Sequence, residues 1–84
     1  MKKYIFLGRS DGNKFCIKGL DAFSHKWQSQ GECDIVLDPE DKTPYSFSKY
    51  RIITESGEIE FLAGKFRDDM WGFYCEQNED DFLF

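Results

Sequence analysis

From Tyr45 to Glu76 the chain alternates in twos, and the alternation predicts three strands in succession. Tyr50, Ile52 and Thr54 fall on one face of the first, with Lys49, Arg51 and Ile53 on the other. Glu55, Ser56, Gly57 and Glu58 have turn composition. Ile59, Phe61 and Ala63 then alternate with Glu58, Glu60 and Leu62. Arg67, Asp68 and Asp69 supply a second turn, and Trp71, Phe73 and Cys75 share one face of a third strand. The pattern is that of a three-stranded antiparallel meander. Gly64 and Gly72 fall inside its strands, where a glycine marks a bulge or leaves room for an aromatic ring from the next strand.

The upstream half is less regular. Lys3 to Arg9 is nearly apolar through Tyr4, Ile5, Phe6 and Leu7, which predicts a strand covered on both faces and central in its sheet. Asp11 and Gly12 centre a turn, and Lys14 to Lys18 returns as a second strand, so residues 3–18 read as a hairpin. Leu20, Phe23 and Trp27 then follow at i, i+3 and i+7, one face of a short helix within residues 19–31. Asp21 or Gly19 would cap its start and Gly31 its end. An irregular loop with two buried aromatics is the competing reading. Cys33, Ile35 and Leu37 mark a further strand, and Asp38 to Pro44 is a loop.

The predicted fold class is therefore α+β, mainly β. It is an antiparallel sheet of five to six strands with an N-terminal hairpin, one short helix and a C-terminal three-stranded meander. Ile5, Leu7, Cys16, Ile35 and Leu37 are expected in the core, with Phe23, Trp27, Ile52, Phe61 and Trp71. The 84 residues make one domain, with 76–84 as an acidic C-terminal tail closing on Phe82, Leu83 and Phe84, which either tuck back onto the sheet or wait for a partner.

Composition sharpens the picture in two ways. Nine Phe, four Tyr and two Trp give a small chain much buried area per residue. The net charge of −5 is divided unevenly, with six Lys/Arg against two Asp in residues 1–31 and five against fourteen acids afterwards. That acidity favours a basic protein partner over nucleic acid.

Catalytic chemistry finds little to use. The single histidine, His25, lies on the polar side of the expected helix, and no nucleophile signature surrounds it. Glu58 and Glu60 share a solvent face and are expected to answer Lys49 and Arg51 on the neighbouring strand. A calcium loop starting at Asp38 fails, because Thr43 stands where glycine is needed and Lys49 where glutamate is needed. The glycines do not cluster before a helix, so no phosphate cradle forms. Cys16, Cys33 and Cys75 are odd in number and lack a C-x-x-C pair, which reads as reduced core residues in a cytoplasmic protein. The apolar run after Met1 is too short for a signal peptide, and no stretch approaches a membrane span. No enzyme activity, metal or cofactor is expected.

The expectation that remains is a small acidic binding protein, an inhibitor or immunity-type protein blocking a toxin or nucleic-acid enzyme with a basic surface. Its partner-binding residues would be Glu58, Glu60, Asp68, Asp69, Trp71, Tyr74, Glu79, Asp80 and Asp81. Two alternatives stand beside it. One is a single-stranded nucleic-acid platform built from the hairpin's lysines with Tyr4, Phe6 and Phe15. The other is an accessory subunit docking through Phe82, Leu83 and Phe84.

Overall fold

The computed structural model describes residues 3–77. Seven strands follow one another: β1 (Lys3–Ser10), β2 (Cys16–Ile17), β3 (Leu20–Asp21), β4 (Gln28–Leu37), β5 (Pro44–Thr54), β6 (Gly57–Lys65) and β7 (Trp71–Gln77). Five of them form one antiparallel sheet in the order β1-β7-β6-β5-β4, and β2 and β3 pair separately. The mainly β, antiparallel expectation holds, and so does the meander of β5, β6 and β7. The predicted helix is a single 3₁₀ turn, Ala22–Ser24. Asp21 caps it as expected, accepting from the N–H groups of Phe23 and Phe15 at 3.1 Å each.

The N-terminal hairpin does not form. β1 pairs with β7 and lies at the sheet's edge, not its centre. The turn after it is real: the Ser10 hydroxyl donates to the Lys14 carbonyl at 2.7 Å, and Asp11 accepts from the Asn13 N–H. Beyond the turn, however, the chain crosses over the sheet. Phe15 stacks on Phe73 with ring centroids 4.2 Å apart, and Ile17, Ala22, Phe23 and Trp27 complete the cover. A hairpin would have left Phe61 and Phe73 open to water. Burying those rings outweighs a few more ladder hydrogen bonds.

Apolar residues thus pack on both faces of the sheet. Under the crossing segment 11–27, the cap face holds Ile52, Phe61, Ala63 and Phe73. The other face holds Val36, Phe47, Leu62, Phe66 and Tyr74, with Tyr4 and Phe6 against them. On that second face the sheet curls until its two outer strands meet. The Tyr4 hydroxyl on β1 donates to Asp34 Oδ2 on β4 at 2.5 Å. Arg9 reaches Asp38, just past β4, at 3.1 Å, and the Tyr74 hydroxyl donates to the Leu37 carbonyl at 2.6 Å. Alternation puts Tyr4 and Phe6 on the curled face and Leu7 on the cap face, so the apolar run of β1 serves both cores, and a bulge between Phe6 and Gly8 returns Arg9 to the curled face opposite Gly72.

The expected core is corrected at both edges of the sheet and in the crossing segment. Ile35 and Leu37 are more than half exposed, Ile5 is exposed, and so are Cys16 and Cys33. The cap does not extend over β4, so the covered face there is that of Asp34 and Val36.

Tyr74 gives this core a pH dependence. Burial, and then the nearby Asp38 charge, push its hydroxyl up to about 12. Burial and the hydrogen bond to the Asp34 carboxylate likewise raise Tyr4. An unfolded tyrosine ionises near about 10, so the unfolded chain loses its proton first. The stability contributed by neutral Tyr74 is therefore intact below about pH 10 and is lost as pH rises towards its folded value, a loss of about 2–3 kcal/mol. Urea unfolding at about pH 8 and about pH 11.5 should show that fall in the native chain and a shallower one in Tyr74→Phe. Equal falls in both proteins would show that another group governs alkaline unfolding.

Candidate partner-binding cleft

The β6–β7 ladder covers only part of both strands. Leu62 to Lys65 pair with Tyr74 back to Trp71. Past Tyr74, β7 continues along β1, with Cys75 opposite Ile5 and Glu76 opposite Tyr4. Residues 57–61 of β6 pair with β5 and, among the described residues, have no strand on their β7 side. The sheet is split there, and a cleft of about 660 Å³ occupies the split.

Strand alternation gives the cleft two different sides. Ile59 and Phe61 point to the cap face, where Leu7 and Ile17 join them. Glu58 and Glu60 point to the curled face, where Glu76 and Tyr4 line the opposite wall. Arg51 stands between the first two acids, at 3.4 Å from Glu58 and 3.5 Å from Glu60. Lys49 lies 3.4 Å from Glu60 and 3.7 Å from Glu32. These are the cross-strand pairs that the sequence led us to expect. Being partly exposed, each contributes only about 0–1 kcal/mol. Glu76 is exposed and makes no ion pair among the described residues.

The other expected partner-binding residues do not gather here. Asp68 and Asp69 sit in the β6–β7 turn, at the far end of β6 from Glu58, seven residues of strand and roughly 23 Å away. Asp68 lies 3.7 Å from Arg9, and Asp69 holds a left-handed φ of 64° in the turn. Trp71 is half-buried against Phe23, Trp27 and Phe73. Tyr74 is only 3% exposed, so it is withdrawn as a surface anchor. Glu79, Asp80, Asp81 and the closing Phe82, Leu83 and Phe84 lie outside the described residues. One acidic region spanning the meander is therefore replaced, among the described residues, by two separate ones. Sequence reading missed the cleft itself, because no residue pattern marks where two paired strands diverge.

The nucleic-acid platform loses its aromatics. Tyr4 is bonded to Asp34, Phe6 packs on Tyr74, and Phe15 stacks on Phe73. His25 is exposed beside a shallower depression at the β5–β6 turn. No helix among the described residues is long and apolar enough to cross a membrane. No family model, curated protein or solved structure matches the chain.

Proposed function

We propose that this chain is a small non-enzymatic binding protein that blocks a partner protein with a basic surface. An immunity protein masking a toxin, or an inhibitor masking a nucleic-acid enzyme, would act in this way. The observation that carries the reading is the cleft in the split sheet, with Glu58, Glu60 and Glu76 beside Lys49 on one side and Leu7, Ile17, Ile59 and Phe61 beside Lys18 on the other. Carboxylates at the rim steer a basic partner and set orientation, while the apolar side supplies area to bury. The net charge of −5 acts in the same direction at longer range. Exposed thiols at Cys16 and Cys33 suit a reducing compartment such as the cytoplasm.

The immobilised full chain, exposed to lysate at low salt and eluted in salt steps, should release a basic protein that is identifiable by mass spectrometry. Glu76→Lys should then slow its association about three- to tenfold and flatten the salt dependence. Asp69→Lys, at the far end of β6, should leave association close to native. Association unchanged by Glu76→Lys would overturn the reading.

A further inference from the structure

Resting on that reading, we propose that the partner contributes an extended segment that adds to the open edge of β6 and fills the split between β6 and β7. The segment alternates apolar and basic residues. Three features of the cleft lead to this occupant.

The first is the backbone. A strand edge with no neighbour presents unpaired N–H and C=O groups and is a template for another strand. Most such edges lie at the outside of a sheet. Here residues 57–61 have no strand on their β7 side among the described residues although they lie inside the sheet, because the β6–β7 ladder stops at Leu62 and Tyr74. A segment of about five residues, roughly 17 Å long, matches it.

The second is the division of the cleft. Any strand lying beside β6 must put alternate side chains on opposite faces. One set would enter the cap side, against Ile17, Ile59 and Phe61. The other would enter the curled side, among Glu58, Glu60 and Glu76. Apolar residues suit the first and lysine or arginine the second.

The third is the charge on that second side. Arg51 and Lys49 offset part of it, and Glu32 adds to it. Glu76, on the opposite wall, is left to meet the incoming cation. An acidic segment would place its carboxylates among three others, which costs several-fold in affinity for each juxtaposition.

The probe is a capped hexapeptide of alternating lysine and valine, titrated into the full chain at low salt and followed by amide NMR with hydrogen exchange. It should bind and slow exchange at residues 57–61. Methylating the backbone nitrogens of alternate residues should weaken it about tenfold or more in one of the two phases, the one that loses main-chain bonds to β6. The glutamate–valine counterpart should bind about tenfold more weakly or not at all.

Equal binding by the native peptide and both methylated forms would overturn strand addition while leaving a charge-driven partner in place. Shifts confined to the outer edge of β4 would also overturn it. So would slow exchange at 57–61 in the free full chain that becomes fast when the chain is ended at Gln77, since the occupant would then be the protein's own terminal segment. If lysate capture yields a basic partner sensitive to Glu76→Lys yet the hexapeptide never protects 57–61, the blocking role stands and this inference fails. If neither is seen, both fail.

Discussion

Gly72→Ala should cost the fold about 3 kcal/mol or more, and Gly64→Ala nearly as much. The two glycines face each other across β6 and β7 on the curled face. A Cβ built at Gly72 falls within 3.0 Å of the Phe66 ring, and one at Gly64 falls within 3.0 Å of the Phe47 ring. Neither position has a left-handed φ, so the demand is for space and not for backbone freedom. The rings cannot step aside cheaply. Phe47 is 1% exposed and Phe66 is 4% exposed, and they pack on each other at 5.3 Å. A domain of this size has roughly 4–12 kcal/mol in all, so the loss is a large share of it. Urea denaturation midpoints would measure it. Phe66→Leu placed on Gly72→Ala should recover part of the loss, because a smaller side chain vacates the volume that the new methyl needs. A single Gly72→Ala variant within about 0.5 kcal/mol of native would mean that the sheet relaxes freely there.

Those glycines show how far the sequence can be read. Glycine inside a strand pattern signals an approaching ring, and Phe47 and Phe66 are the rings. The alternation from Tyr45 to Glu76 likewise sets out β5, β6 and β7, because buried apolar residues recur in twos along each and register follows from the turns. Nothing comparable governs the first half. The Asp11–Gly12 turn suits a hairpin, and only the tertiary gain of covering Phe61 and Phe73 sends the chain across the sheet. Leu20, Phe23 and Trp27 fit a helical face because all three reach one core, although the backbone that carries them is a two-residue strand, a 3₁₀ turn and extended chain. Periodicity reports which side chains are buried, and several backbone paths can bury the same three.

The site was legible only in its charges. Glu58 and Glu60 could be placed opposite Lys49 and Arg51 from the meander alone. Tyr74 could not be distinguished from a surface tyrosine, because its burial depends on β1 and β4 closing over the curled face. Nor could the split be foreseen. It arises because β7 keeps β1 beside it along its whole length but completes the ladder with β6 only over its first half. The Gly64–Gly72 pair sits in the ladder's closed part, where two aromatic rings pack over it. The open part has large side chains on both sides and no such pair.

Arg9→Met should destabilise the protein by about 2–4 kcal/mol, and the reason lies with its partner. Asp38 is only 6% exposed. It accepts from Arg9 through both carboxylate oxygens at 3.1 Å and from the Glu40 N–H at 2.8 Å. The Arg9 guanidinium also lies 4.2 Å from the centre of the Phe66 ring. Methionine keeps much of that apolar contact but leaves a buried carboxylate without its counter-charge. Arg9→Lys should retain part of the stability, since an ammonium supplies the charge without the planar group that both pairs and stacks. Asp38→Asn should cost less than Arg9→Met, because an amide oxygen can still accept from Glu40. The double variant Arg9→Met, Asp38→Asn should then be more stable than Arg9→Met alone, with a coupling of about 1–3 kcal/mol. Added salt should change the native value little, as a partly buried pair is weakly screened. A double variant no better than the single one would assign the loss to packing over Phe66. The closure of β1 onto the end of β4 would then rest on Tyr4, Tyr74 and the aromatic contacts, and not on this ion pair.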